Sequence, residues 1–173
     1  MPTGKSISLF LIDGTADGVV SYELFNWTGK GYKVPRSRLK ELSDREDLKR
    51  AGVYFLIGRD ETDSEAAYIG EAGEVYKCLL QHLDKDFWTE AIIFISKDEK
   101  LGKAHLKYLE YTLYKSAAEA ARYSLLNDNT PIQPVISESW QAIMNEFSEH
   151  ICLLIGTMGY KIFEKLTKAT IPK

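Results

Sequence analysis

The sequence has little cysteine, no long hydrophobic run and no strong excess of either charge. Its 2 cysteines, Cys78 and Cys152, lie far apart in the chain, so reduced thiols are expected rather than a disulfide framework. Cys78 and His82 are 4 residues apart, but no second Cys/His pair follows at the spacing of metal ligands. The apolar run at residues 151–155 is far too short to span a bilayer. Because the N-terminus also lacks the pattern of a signal peptide, we expect a cytoplasmic protein without a membrane segment.

The charge balance excludes a strongly basic domain that binds nucleic acid through its overall field. The net charge is −3 and the pI about 5.7, so any contact with DNA would come from local basic patches. Residues 30–38 and 97–107 each contain several lysines or arginines, although a solvated surface explains both equally well. A chain of 173 residues with 45% hydrophobic content can bury one core. Both a monomer and a weak dimer are allowed.

Short strand patterns alternate with helical ones along the chain. The strand patterns cover residues 6–12, 19–27, 32–34, 53–57, 67–69, 91–95 and 160–163. The helical patterns cover residues 36–49, 72–83, 101–123 and 137–155. We predict an α/β fold of the α+β kind, in which a small three-stranded mixed or antiparallel sheet is flanked by helices. An N-terminal β-hairpin would precede this sheet, and a C-terminal helix and strand would follow it.

Two short strings at the ends of predicted strands carry the main functional signal. They are Gly52-Val53-Tyr54 and Tyr68-Ile69-Gly70. Further polar residues follow in order along the chain: Cys78 and His82 on one predicted helix, Glu110 on the next, and the turn with Asn127 and Asn129. Each string alone is weak because such tripeptides recur by chance, but their combined order is more specific.

In this order and in these elements, the residues resemble the GIY-YIG nuclease superfamily. The similarity extends to residues 10–14, 27–29, 87–98 and 104–110, which look like one bacterial subgroup of that superfamily. By this resemblance, residues 50–134 are the nuclease-like domain, and residues 1–48 an N-terminal meander with a helix. Residues 135–173 would be a helical extension that packs on the domain. The implied activity is hydrolysis of DNA phosphodiester bonds with one Mg²⁺ or Mn²⁺ ion and no obligatory small-molecule cofactor.

The resemblance also implies a role for each motif residue. Tyr54 would orient or deprotonate the attacking water, and Tyr68 would hydrogen-bond the phosphate or that water. His82 has an ordinary pKa near neutrality, which suits a proton acceptor or a phosphate ligand. Glu110 would hold the metal ion, since hard cations prefer oxygen ligands. Either Asn127 or Asn129 would brace the site.

Glu110 also stands out without the resemblance. It lies on a predicted helix beside an apolar stripe that includes Leu106, Leu113 and Ala117. Burying an unpaired carboxylate is costly, which favours a functional reason for its presence. The alternative is a flanking position whose side chain reaches solvent.

Cys78 departs from the superfamily pattern. It lies 10 residues after Tyr68, where the family has an arginine. An arginine grips two phosphate oxygens with a planar, permanently charged fork, and a thiol offers only a weak donor. Lys77 or Arg59 would substitute for this arginine, and both, with Lys103 and Lys107, are candidates for contact with DNA.

Three functional interpretations therefore remain open. The first is a metal-dependent endonuclease that Cys78 weakens or inactivates. The second is an inactive nucleic-acid-binding module on the same fold, and the third is a protein-interaction domain. A catalytic thiol at Cys78 with His82 as its base is a weaker possibility.

Overall fold

The computed structural model of the protein describes residues 2–165, which form one seven-stranded sheet with helices on both faces. The strands are β1 (Ile7–Leu11), β2 (Val20–Leu24), β3 (Gly29–Pro35), β4 (Gly52–Arg59), β5 (Glu65–Ala72), β6 (Trp88–Ser96) and β7 (Ser124–Leu125). The helices are α1 (Val75–Gln81), α2 (Lys103–Ala120) and α3 (Glu138–Thr157). Short 3₁₀ helices cover Arg36–Leu42, Glu46–Lys49 and His82–Asp84.

The strand order is β1-β2-β3-β6-β4-β5-β7, so the prediction of a small three-stranded sheet is wrong. The strands β6, β4 and β5 do lie together, but β3 pairs with β6 from Gly29↔Ser96 to Pro35↔Glu90 and joins the N-terminal strands to them. All neighbouring strands are antiparallel except β5 and β7, which makes the sheet mixed. Residues 7–35 therefore continue the central sheet and do not form a separate hairpin.

Glycines explain why β3 is longer than predicted. Gly29 and Gly31 suggest a turn in the sequence, yet both lie within β3. A Cβ at Gly31 would lie 2.8 Å from the ring of Phe94 on β6, so this glycine makes room for an aromatic side chain. The absence of a side chain here serves packing and not a turn.

Two further predictions are corrected by the structure. Residues 36–49 form two 3₁₀ helices and not one α-helix. The strand predicted at residues 160–163 is absent among the described residues, and the segment packs as irregular chain, with Ile162 fully buried. The apolar residues of this segment indicate burial, but an irregular segment can be buried as well as a strand. Ser137 is the N-cap of α3, since its hydroxyl accepts a hydrogen bond from the Trp140 N–H at 3.2 Å.

Side chains of successive strand residues point to opposite faces of the sheet, so the buried residues form two core layers. On one face of the sheet, which we call the α1 face, α1 and the 3₁₀ helices cover Tyr54, Leu56 and Ile93. On the opposite face, the α2/α3 face, α2 and α3 cover Phe55, Ile69 and other alternate residues. Among residues 2–165, no helix has the length and apolar content needed to cross a membrane.

Candidate active site

The glycines of the two motifs allow close approach within the sheet. Tyr54 on β4 is the direct neighbour of Gly70 on β5. A Cβ at Gly70 would lie 2.5 Å from Cζ and from the hydroxyl oxygen of Tyr54, so only glycine leaves room for this ring to lie across β5. At Gly52, an added Cβ would clash with the backbone carbonyl of Phe94 on β6. Both motif glycines are thus explained by packing around Tyr54 and its strand.

The Tyr54 hydroxyl is the centre of a polar cluster on the α1 face. It lies 2.7 Å from Nε2 of His82 and 3.3 Å from Sγ of Cys78. Only 2% of Tyr54 is exposed. Burial, followed by the hydrogen bond with Cys78, raises the pKa of Tyr54 well above its usual range. The phenol therefore keeps its proton at neutral pH, which suits orientation of a water more than its deprotonation.

Tyr68 lies beside Tyr54 and is partly exposed. Their rings stack with centroids 6.3 Å apart and an interplanar angle of 12°. The ring of His82 lies 4.9 Å from that of Tyr68, between centroids. Burial raises the pKa of Tyr68, and the negative charge of Asp128 adds to this effect. Tyr68 is thus a protonated phenol at the solvent side of the cluster.

His82 is held by the 3₁₀ helix that follows α1. Its backbone carbonyl accepts a hydrogen bond from Nε1 of the buried Trp88 at 2.9 Å. The Arg36 guanidinium lies 4.5 Å from the Trp88 ring and donates to the carbonyl of Leu83 at 2.6 Å, which fixes this turn. Burial lowers the pKa of His82, and the positive charge of Lys85 lowers it further. His82 is therefore a neutral imidazole with the capacity to accept a proton.

Lys85 is the cation that the sequence analysis missed. Its Nζ lies 5.8 Å from the ring centroid of Tyr68, and its charge acts on His82. It follows His82 by 3 residues within the same turn, a helical spacing that would have drawn attention to it. Lys85 is half-buried and forms no ion pair among residues 2–165.

The two cations proposed from the sequence as substitutes for the arginine, Arg59 and Lys77, make no contact with the Tyr54 hydroxyl among the described residues. Arg59 is at the far end of the β4–β5 hairpin, where its guanidinium donates to the carbonyl of Asp63 at 2.8 Å. Because it is 5 residues from Tyr54 along β4, the separation is about 16 Å. Lys77 is exposed on α1 beside Cys78. The structure therefore brings Lys85 to the cluster and does not bring Arg59 there.

Glu110 approaches from α2, next to Glu71 of β5. Burial raises the pKa of Glu110, and the charge of Glu71 raises it further, while Lys107 lowers it. Lys107 Nζ lies 3.9 Å from a carboxylate oxygen of Glu71. After burial, the charge of Glu110 is also one of the smaller causes that raise the pKa of Tyr54 and Tyr68. Glu110 is thus electrostatically linked to the cluster, while Lys103 lies exposed at the start of α2.

Asn127 braces the strand that carries Tyr68. Its side-chain oxygen accepts from the N–H of Ile69 at 3.1 Å, and its amide donates to the Ile69 carbonyl at 2.6 Å. One residue earlier, the Leu126 N–H donates to the Ala67 carbonyl at 2.9 Å. The Asn127 amide thus extends the short β5–β7 ladder by one step. Of the two candidate asparagines, Asn127 makes this contact, and Asn129 is exposed.

The acidic residues offer a modest set of ligands for a divalent cation. Within residues 2–165, no group of three or more His, Cys, Asp or Glu side chains is arranged to hold a metal ion. Mg²⁺ nevertheless binds in many proteins through one or two carboxylates and several waters. The half-buried Glu110 beside Glu71 fits that smaller requirement, because burial and then the charge of Glu71 raise its pKa, and a bound cation offsets both costs of its negative charge.

Comparisons with protein-family models, with curated proteins and with solved structures found no match to this chain. The functional argument therefore depends on the residues and their geometry.

Proposed function

We propose that this protein is a metal-dependent endonuclease of the GIY-YIG type that hydrolyses DNA phosphodiester bonds, and that Cys78 weakens it. The observation that supports this proposal most is the meeting of Tyr54, Tyr68 and His82. They come from β4, β5 and the turn after α1. The Tyr54 hydroxyl contacts His82, and the ring of Tyr68 packs against both other rings. No single element would place these three side chains together.

In this proposal, Tyr54 orients the attacking water and His82 accepts its proton. In the tautomer whose Nε2–H donates to the Tyr54 hydroxyl, the neutral imidazole keeps on Nδ1 the free lone pair that a general base needs. Tyr68, on the solvent side, donates its hydroxyl hydrogen to a phosphate oxygen. Lys85 adds a positive charge near the same tyrosine. Positive charge and fixed donors are the main requirements for stabilising the pentacoordinate phosphate.

Glu110, assisted by Glu71, would hold the Mg²⁺ or Mn²⁺ ion. When bound, such an ion supplies positive charge against the phosphate oxygens. Glu110 lies on the helix of the α2/α3 face, whereas Tyr54 lies on the α1 face. The scissile phosphate would therefore bind around the exposed edge of β5, within reach of both faces.

Cys78 explains why weak activity is expected. Its thiol lies 3.3 Å from the Tyr54 hydroxyl, so it sits within the cluster, but it carries no positive charge as a thiol. Loss of a comparable arginine in phosphoryl transfer lowers the rate by on the order of 10³ to 10⁵. Lys85 compensates only in part, since an ammonium group is a point charge without the fork of a guanidinium.

Nicking of supercoiled plasmid in the presence of Mg²⁺ or Mn²⁺ tests this function. We expect weak cleavage by the unsubstituted chain, faster cleavage by Cys78→Arg, and none by Cys78→Arg/Glu110→Ala. Lys85→Ala should abolish the residual cleavage of the unsubstituted chain, and the matched exposed control Lys77→Ala should retain it. Absence of cleavage by Cys78→Arg on supercoiled, linear and single-stranded DNA would contradict the proposal.

The contact between Cys78 and Tyr54 also favours a second candidate function, an inactive module that binds DNA. This alternative predicts binding to DNA that weakens with salt and survives Glu110→Ala, with no cleavage by any variant. If DNA binding is undetectable even at low salt, the remaining alternative is a protein-interaction domain.

A further inference from the structure

The strand β1 forms one edge of the sheet, with an open row of backbone groups. Within residues 2–165, it pairs with β2 only. The Phe25 N–H donates to the Ser6 carbonyl, and the Ile12 N–H donates to the Val19 carbonyl. Residues that exchange backbone hydrogen bonds alternate along an antiparallel pair. The backbone N–H and C=O groups of the even-numbered residues of this strand therefore point toward β2. The backbone groups of Ile7, Leu9 and Leu11 therefore point away from the sheet.

The side chains of this edge are unusually apolar. All 5 residues of β1 are exposed, including Leu9 at 53% and Phe10 at 63%. The strand contains no Lys, Glu, Asp or Pro, the residues that usually protect an edge from pairing. Ile7, Leu9 and Leu11 face the same side as the buried residues Val20, Tyr22 and Leu24, because these residues are direct neighbours in the ladder. They thus extend a core layer into solvent.

We propose that two copies of this protein pair through their β1 strands, antiparallel about a two-fold axis at Leu9. In this register, Leu9 faces the partner's Leu9, and Ile7 faces the partner's Leu11. The two Leu9 residues exchange backbone hydrogen bonds, and each Leu11 N–H donates to the partner's Ile7 carbonyl. The Leu11 carbonyl already accepts from the Gly14 N–H at 3.0 Å, so it contributes less.

Overlap of apolar residues selects this register over its neighbours. With Leu9 on the axis, each outward-facing residue of β1 (Ile7, Leu9 and Leu11) lies opposite an apolar residue of the partner. A shift that places Ser8 on the axis instead sets Leu11 against the partner's Lys5. A shift that places Phe10 on the axis sets Ile7 against the turn after the partner's β1, where the Asp13 carboxylate already accepts a hydrogen bond from the Val19 N–H at 3.0 Å. The Leu9 register alone pairs every outward apolar residue with another, as a self-complementary interface requires.

Disulfide trapping tests directly which residues of the two β1 strands lie opposite each other. Paired residues on the axis have Cα atoms about 5.5 Å apart, within the range that a disulfide spans. We expect Leu9→Cys to form a cross-linked dimer under mild oxidation. Ser8→Cys and Phe10→Cys are matched controls, since each would lie about 8 Å from its own copy in this register, beyond that range. The native Cys152 is a poor competitor, because burial raises its pKa to about 12.

Sedimentation analysis of the unmodified chain gives an independent result. We expect a concentration-dependent dimer that Leu9→Lys disrupts by placing two ammonium groups on the axis. Val135→Lys, at a position that is 98% exposed on another surface, should leave the dimer intact. An unmodified chain that stays monomeric throughout the concentration series would overturn the proposal, as would preferential cross-linking of Ser8→Cys or Phe10→Cys. Cross-linking of Leu9→Cys together with dissociation by Leu9→Lys would support it, and both outcomes are independent of nuclease activity.

Discussion

The two edges of the sheet meet the same physical requirement in different ways. At one edge, the two-residue strand β7 pairs with β5, and Asn127 continues the hydrogen bonding with its side chain. At the other edge, β1 leaves its outer backbone groups open and its apolar side chains exposed. The first edge ends in polar residues that adjoin the candidate site. The second edge is suited to pairing with another strand.

This difference shows how an edge can be specialised. The Asn127 amide forms hydrogen bonds with the backbone of one residue of β5, Ile69, and no further strand of the described chain continues from it. The part of that edge beyond Ile69 would therefore stay accessible to a substrate. A strand whose outer row of backbone groups is open, as in β1, has no such stop. The four predictions that follow test the polar edge first, where larger effects are expected, and then the apolar edge.

Gly70→Ala should have the largest effect, because it attacks the polar edge at its tightest contact. The new methyl group would lie 2.5 Å from the Tyr54 ring, and overpacking of this kind costs about 1–3 kcal/mol. We expect lower stability in urea unfolding and loss of cleavage in the Cys78→Arg background. Gly73→Ala is the matched control, since no atom lies within 4 Å of a Cβ at that position. Equal stability of the two variants would contradict the close packing of Tyr54.

Asn127→Ala should remove the side-chain end of the polar edge. The Ile69 N–H and carbonyl would lose their partners, which costs about 1–2 kcal/mol when water replaces them only partly. Urea unfolding measures this cost, and hydrogen exchange at the Ile69 amide should become faster. Asn129→Ala, at an exposed position in the same turn, should change neither quantity. A similar loss in both variants would mean that the turn as a whole, and not the amide, supports β5.

Acidification should lower the stability of the folded protein through protonation of His82, which lies beside the polar edge. Its pKa in the folded protein lies below the ordinary value of 6.5, first because of burial and then because of Lys85, with Asp84 and Asp128 acting in the opposite direction. Between the two pKa values, the unfolded chain binds more protons, so stability rises with pH and is lost as pH falls below about 6.5. We expect His82→Gln to flatten this part of the stability profile, measured by urea unfolding. An unchanged slope would show that His82 titrates normally.

Leu9→Lys should have the smallest effect on the folded chain itself. Leu9 is 53% exposed, so the stability of the isolated chain should change by less than about 0.5 kcal/mol. Thermal unfolding in dilute solution checks this value. A large loss of stability would mean that β1 has a buried partner within the chain, and the contrast between the two edges would disappear.

Local sequence patterns predicted most of the elements but not how the strands join into one sheet. The three α-helices and six of the seven strands lie within or overlap the predicted segments. The pairing of β3 with β6 joins segments that are more than 50 residues apart, and no local alternation reveals it. The two-residue strand β7 lacks a recognisable pattern, because its pairing depends on the edge of β5.

The candidate site was predicted as an ordered set of residues, and its geometry needed the structure. The contacts between Tyr54, His82 and Cys78 join β4 to α1 and the turn after it, across more than 20 residues. Lys85 was missed because a lysine in a polar turn is usually a surface residue. Its position over the Tyr68 ring depends on how Arg36 and Trp88 hold that turn.

The late pairing of β3 has a consequence for the order in which the protein can fold during synthesis. The N-terminal strands emerge from the ribosome well before β6. The side of β3 that pairs with β6 therefore stays unpaired while more than 50 further residues are added. Non-local pairing of this kind slows folding and leaves strand edges exposed in the meantime. A nascent chain paused before residue 88 would therefore leave unpaired the edges of β3 and β4 that β6 covers in the folded protein, and it should be the form of this protein most prone to aggregate.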